Sequence, residues 1–267
     1  MTDRIVFEDV SVAFGPPERR LQVVDNVSYA IGDGEFVSVI GPSGCGKTTM
    51  LNMVAGFMKP SAGRVLLDGR PVAGPGPDRG VIFQEYGVFP WLTVRQNIEF
   101  GLKLRANRRN AARRGEISDR YMRLMGLEDF ADAWPRMLSG GMRQRLALAR
   151  AYAVEPQFLL MDEPFGALAA QTRSAMQNLL LEVLRTEGKT VMLITHSVEE
   201  ALYLSSRVVV MTARPTRIRE IVEVPFGYPR AEALHEQPEF GRLRSHLRDL
   251  VMQEYAAQAR QRFAVTD

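Results

Sequence analysis

No apolar run in this 267-residue chain approaches the roughly 20 residues that a membrane-spanning helix needs. Stretches such as Phe158-Leu159-Leu160-Met161 stop after a few residues, so the chain is expected to be soluble. Cysteine is nearly absent as well: the lone Cys45 cannot form an internal disulfide and agrees with a reducing compartment. Charge of one sign is scarce, with 34 Lys and Arg against 31 Asp and Glu, a formal net charge of +3. There is no internal repeat, no low-complexity tract and no sustained heptad pattern. The first residues, Met1 to Asp9, mix acids with apolar residues at strand spacing and lack an apolar core, so a cytoplasmic protein without a secretory signal is expected. What remains, 46% hydrophobic and 24% charged, is ordinary globular composition sufficient for one large domain or two small ones.

The pI of about 9.2 reflects an excess of arginine, gathered partly between Arg105 and Arg120 with Arg108, Arg109, Arg113 and Arg114. That stretch reads as a solvated face before it reads as a surface for nucleic acid or anionic lipid. The N-terminal third alternates apolar and polar residues over Ile5 to Phe14, Val23 to Ile31 and Arg64 to Leu67, the pattern of antiparallel strands. Phe36 to Ile40 is a compact apolar run feeding into Gly41, and Lys47 to Phe57 follows helical spacing. Three further apolar runs, Val81 to Phe83, Phe158 to Met161 and Val191 to Ile194, each end at a polar residue: Gln84, Asp162 and His196. Buried parallel strands present chemistry at their carboxyl ends in this way. Between Gln84 and Pro156 the sequence becomes helix-forming and rich in Arg and Leu, as an inserted helical subdomain would be. After Val208 to Met211 the chain begins with a Pro- and Gly-containing stretch and ends in helices predicted from Pro238 to Phe263.

Gly41-Pro42-Ser43-Gly44-Cys45-Gly46-Lys47-Thr48 fits the P-loop pattern, between a predicted strand and a predicted helix. Glycines let successive N–H groups point at phosphate oxygens, Lys47 adds a charge near the β and γ phosphates, and Thr48 supplies a hydroxyl to Mg²⁺. Asp162 and Glu163 are adjacent carboxylates at a strand end, one suited to hold Mg²⁺ and the other to orient or deprotonate an attacking water. The run Leu138-Ser139-Gly140-Gly141-Met142-Arg143-Gln144-Arg145 opens a helix with backbone N–H groups and a positive dipole end, a second phosphate-binding device.

Together these motifs resemble the nucleotide-binding subunit of ATP-binding cassette (ABC) transporters, over nearly the whole chain, with Leu138 to Gly141 matching that family's signature. The resemblance implies an α/β fold: a P-loop NTPase (RecA-like) core with an N-terminal antiparallel β subdomain and an inserted α-helical subdomain. It implies an ATPase domain over 1–225, the helical subdomain over 85–155 and a C-terminal helical extension over 226–267. ATP would contact Phe14 by ring stacking, the loop residues Gly41, Pro42, Ser43, Gly44, Cys45, Gly46, Lys47, Thr48 and Thr49, and, from another subunit, Ser139, Gly140 and Gly141. Mg²⁺ would be held by Thr48, Gln84 and Asp162. Glu163, His196 and Gln84 would be the catalytic groups, His196 as the switch histidine at the γ phosphate. Ser197 with Glu200 also forms a plausible capping box just after it.

The same resemblance implies a head-to-tail dimer of two identical subunits, and separate membrane permease subunits bound near Glu85 to Val94. A prokaryotic importer fed by an extracytoplasmic substrate-binding protein follows, with the chain peripheral on the cytoplasmic face of the inner membrane. The stretches Phe83 to Val94, Met211 to Pro215 and Pro238 to Arg244 resemble subunits of nitrate, sulfonate, taurine and bicarbonate importers. The alternative, a non-transport ABC ATPase of nucleic-acid repair or translation, is disfavoured by the single cassette and the lack of coiled-coil insertions, so no nucleic-acid partner is expected. One position departs from the family: Ala169 stands where similar proteins carry the D-loop aspartate, which implies weakened cooperativity or a raised uncoupled ATPase.

Overall fold

The computed structural model describes residues 2–264 except 85, 86, 111 and 167. The chain divides into two compact units, Met1–Pro75 with Thr190–Asp267, and Gly76–Lys189.

The first unit begins with an antiparallel sheet in the order β2-β1-β4-β5, made of β1 (Asp3–Phe14), β2 (Leu21–Gly32), β4 (Ala62–Leu67) and β5 (Arg70–Pro71). The buried residues of β1 change parity, from Ile5 and Phe7 to Val10 and Val12. A one-residue slip would turn the second pair outward. A register shift between Phe7 and Val10, with Asp9 at φ +48°, keeps both pairs on the core face. A single 3-10 turn, Pro17–Arg19, joins β1 to β2 and leaves Phe14 opposite Leu21. Strand β3 (Phe36–Ile40), buried at every residue, leads through the glycine-rich loop into helix α1 (Lys47–Ala55).

The second unit pairs β6 (Arg79–Ile82) in parallel with β7 (Phe158–Asp162). Between them lie α2 (Val94–Lys103), α3 (Arg114–Met125) and α4 (Gly140–Ala153), and α5 (Ala170–Glu187) follows β7. Thr93 and Gln96 close a reciprocal capping box at the start of α2, and Gly126 in the left-handed conformation ends α3. The helices bury Ile98, Leu102, Ile117, Tyr121, Met122, Leu146, Leu148 and Tyr152.

The chain then returns to the first unit. β8 (Thr190–Ile194) and β9 (Arg207–Met211) flank β3 in parallel, with α6 (Val198–Leu204) between them in sequence. Strand β10 (Ile218–Glu223) then pairs antiparallel with β9. This strand corrects the sequence reading, which passed over it as part of a Pro- and Gly-containing connection. Its charged residues Arg219, Glu220 and Glu223 conceal a strand that leaves most of its surface to solvent. The C-terminal residues form one continuous helix, α7 (Pro238–Ala264). Within the arginine stretch a 3-10 segment spans Arg105–Asn110 with a kink at Asn107, and Arg113, the N-cap of α3, pairs with Glu116.

Candidate functional site

The loop after β3 is shaped by two glycines at which a side chain would force its neighbours to move. Gly46 has φ +126°, and a Cβ there would lie 3.0 Å from Val23 Cγ1; one on Gly41 would lie 2.8 Å from the Met211 carbonyl oxygen. Lys47 is buried, and a buried ammonium needs partners. It finds them in the loop itself, with Nζ donating to the carbonyl oxygens of Gly41 and Pro42 at 2.8 Å each. The charge is therefore folded across the loop. Helix α1 starts here with glycine as its N-cap, no side-chain cap and no acid in its first turn. Orphan N–H groups, the positive dipole end and Lys47 together make an anion cradle. Ser43, Gly44 and Thr48 are exposed, Thr49 is half-buried, and Pro42 and Cys45 are buried. The Thr216 hydroxyl donates to the Cys45 carbonyl, and Thr216 is itself tied to β2 through Val23 and Asp25. Phe14 stands 44% exposed at the end of β1, accessible to a stacking partner. His196 is exposed where β8 ends. Ser197 accepts from the Glu200 N–H as N-cap of α6.

The second unit carries the remaining groups. Asp162 closes β7 and is half-buried; Glu163, the next residue, has φ +46°. A non-glycine residue in that region costs on the order of 1–3 kcal/mol and persists where surroundings enforce it, often at functional sites. Gln84 is exposed just beyond β6 and donates from Nε2 to Glu163 Oε2 at 3.3 Å. Strand β6 stops at Ile82, one residue earlier than the sequence pattern implies, and Phe83 is exposed. Ser139 is the N-cap of α4, its hydroxyl accepting from the Met142 N–H at 3.2 Å. Gly140 and Gly141 form the first turn, which again holds no acid. A Cβ on Gly141 would meet Thr172 Cγ2 at 2.6 Å, so this glycine serves the approach of α5 to α4 as well as any phosphate.

Two contributors escaped the sequence reading, and a third, Gln144, was read only as part of the signature run. Asn97 is fully buried in α2, accepting from the Phe89 N–H and donating toward the carbonyls of Phe89, Leu92 and Thr93, so it pins the loop after Gln84. Arg150, on α4, lies 3.9 Å from the ring centre of Phe89 and donates to the Gly87 carbonyl. Burial holds its guanidinium below the usual arginine range. Gln144, at the start of the second turn of the signature helix, is fully buried, and its amide has no hydrogen-bond partner among the described residues. A polar residue inside a helix carries no local signal of these roles. Glu85 and Tyr86, where the expected permease-contact stretch begins, and Ala167 lie outside the described residues.

The family model for ABC transporters matches residues 24–166, more than half of the chain. The protein belongs to the ABC transporter family and is an ATP-binding, ATP-hydrolysing subunit of it. It is 50% identical to an uncharacterized ABC transporter ATP-binding protein of Methanocaldococcus jannaschii, over 86% of this chain and 85% of that one. It is 46% identical to the taurine import ATP-binding protein of Pseudomonas aeruginosa (92% and 95% covered). With the nitrate import ATP-binding protein of Synechococcus elongatus it shares 41% (94% and 92% covered). Among solved structures, a dimeric ATP-binding cassette in a post-hydrolysis state with ADP and Pi aligns at TM-score 0.72 and 31% identity, covering 84% of this chain and all of that one. The P-loop NTPase fold expected from the motifs is thereby shown.

Proposed function

We propose that this chain is the ATP-driven motor of an importer for a small solute of the nitrate, sulfonate, taurine and bicarbonate class. It acts on separate permease subunits from the cytoplasmic face of the inner membrane, with an extracytoplasmic binding protein delivering the cargo. Relatives named for taurine and nitrate import, matched over more than nine-tenths of both chains, carry this reading. Among the described residues no helix is long and apolar enough to cross a membrane, so on this reading the passage belongs to other polypeptides. A groove of about 190 Å³ in the Gly76–Lys189 unit, lined by Phe83, Phe100, Leu104 and Val154 with Arg79 and Arg150, supports permease docking beside Gln84.

In the proposed cycle Lys47 and the α1 N-terminus bind the phosphates, Phe14 stacks on the adenine ring, and Gln84 positions the Glu163 carboxylate. Glu163 orients the attacking water or takes its proton, and His196 contacts the γ phosphate. Ser139, Gly140 and Gly141 of a second copy complete the site, in keeping with the dimeric cassette above. Binding energy that favours the closed dimer is what moves the permease, because a ligand shifts an equilibrium only by its differential affinity. The hydroxyl of Thr48, the carboxylate of Asp162 and the amide oxygen of Gln84 are the hard oxygen donors Mg²⁺ takes, and among the described residues no His, Cys, Asp and Glu cluster forms a complete cage. That fits an ion whose shell is filled mainly by phosphate and water; when bound it neutralises charge on the transferring phosphate.

Glu163→Gln tests the cycle. ATP affinity should stay within a few-fold, turnover should fall about 100-fold or more, and ATP should shift the variant to a dimer on size exclusion. Turnover near wild type removes Glu163 from its role, and a persistent monomer removes the ATP-driven dimer. Co-purification with a membrane protein rather than nucleic acid checks the transport assignment.

A further inference from the structure

Helix α7 reaches back to the phosphate loop. Gln258, 215 positions further along the chain, donates from Nε2 to the carbonyl oxygen of Ser43 at 3.0 Å. One turn earlier Glu254 is buried, its Oε2 accepting from the Ala213 N–H at 2.9 Å and its Oε1 lying 3.8 Å from Arg219. Ala213 follows Met211, whose carbonyl lies against Gly41. One face of α7 therefore holds both the loop and the segment beneath it.

The Ser43–Gly44 peptide is the middle of a turn in which the Cys45 N–H donates to the Pro42 carbonyl oxygen at 3.3 Å, and its own C=O is the group that Gln258 holds. Gly44 has φ +74°, and a Cβ built there would meet nothing within 4 Å, so on that side nothing packs against Gly44. The C=O and N–H of one trans peptide unit point in opposite directions. Holding the Ser43 oxygen at Gln258 therefore turns the Gly44 N–H to the other side, and a loop of this type binds phosphate with such N–H groups. We propose that Gln258 is a positioning residue for nucleotide binding: it sets the Ser43–Gly44 peptide in its anion-binding orientation and makes α7 docking and nucleotide affinity interdependent. The inference rests on reading residues 41–48 as the nucleotide phosphate loop.

Calorimetric binding of MgADP to the full-length chain tests it without requiring dimerisation or hydrolysis. Gln258→Met, which removes the donor and keeps the bulk, should weaken MgADP about three- to tenfold. It should raise KM for ATP similarly, with kcat unchanged within about twofold. Gln258→Glu, isosteric but presenting an acceptor to an acceptor, should bind more weakly than Gln258→Met at pH 8. Met252→Ala, exposed on the same helix, should bind as wild type. Wild-type affinity in Gln258→Met overturns the proposal, even if Gln258→Glu is weak, because charge alone would then be acting. If Gln258→Met also lowers Tm, the isosteric variant decides: Gln258→Glu binding like wild type reduces the side chain to packing, weakening that about 0.5 M salt abolishes is charge alone and overturns the proposal, and weaker binding than Gln258→Met that persists in that salt upholds it. Lys47→Ala separates the two readings, since wild-type MgADP binding there would remove the phosphate loop itself.

Discussion

The two units treat their polar groups differently. In the unit that holds the phosphate loop, buried cations lie on backbone carbonyls: Lys47 on those of its own loop. Arg230, buried and 26 residues beyond the end of α6, donates from its two Nη atoms to the carbonyls of Leu202, Tyr203, Ser205 and Phe226, while its Nε has no partner among the described residues. In the Gly76–Lys189 unit, Glu163 stands in a strained conformation, the Gln144 amide is buried without a partner among the described residues, and Gln84 is exposed. The first unit holds its two buried cations, Lys47 and Arg230, on its own backbone carbonyls. The second unit keeps polar groups exposed or buried without a partner among the described residues, as the proposed motor would need for nucleotide, a second copy and a permease. Damage to the first should register in stability, and damage to the second in coupling.

Arg230→Ala gives the largest test of the first unit. It removes the donors that cap the C-terminal carbonyls of α6, at a cost of about 3 kcal/mol and a Tm fall of about 6–12 °C. Because Arg230 touches no loop residue, KM for ATP at a permissive temperature should stay within about twofold; a large KM change would break the separation. Gly141→Ala comes next, at about 2 kcal/mol, because Thr172 must move to admit the methyl group while the helix gains only part of that back in propensity. Its permease-stimulated ATPase should fall further than its Tm predicts, and thermal melts beside turnover assays would show it.

Arg150→Ala should cost about 1–2 kcal/mol through the lost ring contact and charged hydrogen bond. Basal ATPase should survive while stimulation by permease drops; equal loss of both would mean that Arg150 supports the fold alone. Ala169→Asp is the smallest change. The Ala169 carbonyl accepts from the Arg173 N–H at the start of α5, the N-cap position, so aspartate should add about 1 kcal/mol of stability. If Ala169 also weakens communication between two sites, cooperativity of ATP hydrolysis should rise. A higher Tm with identical kinetics would assign the position to capping alone.

Much of this organisation was legible beforehand, for identifiable reasons. Strand β3 followed by the glycine loop and α1 is local in sequence, and each residue's role there follows from backbone freedom, charge or helix polarity. The apolar runs of β7 and β8 announced themselves because strands buried at nearly every position need no pairing partner to be recognised. Strand β10 did not, since Arg219, Glu220 and Glu223 give it the composition of a connection and only pairing with β9 makes it a strand. The left-handed Glu163 was invisible too, because its conformation is imposed by surroundings and not by its residue type.

The amino-acid sequence by itself determined the chemistry: a lysine and glycines to hold phosphate, a Ser-Gly-Gly helix start, and two carboxylates at a strand end. Local covalent geometry and helix electrostatics are enough for that. Tertiary structure alone decided what holds these groups in place: Asn97 and Arg150 pinning the loop after Gln84, Thr172 demanding a glycine at 141, and Gln258 reaching across 215 residues to Ser43. Contacts between distant positions depend on how elements pack, and no short window of sequence contains both partners.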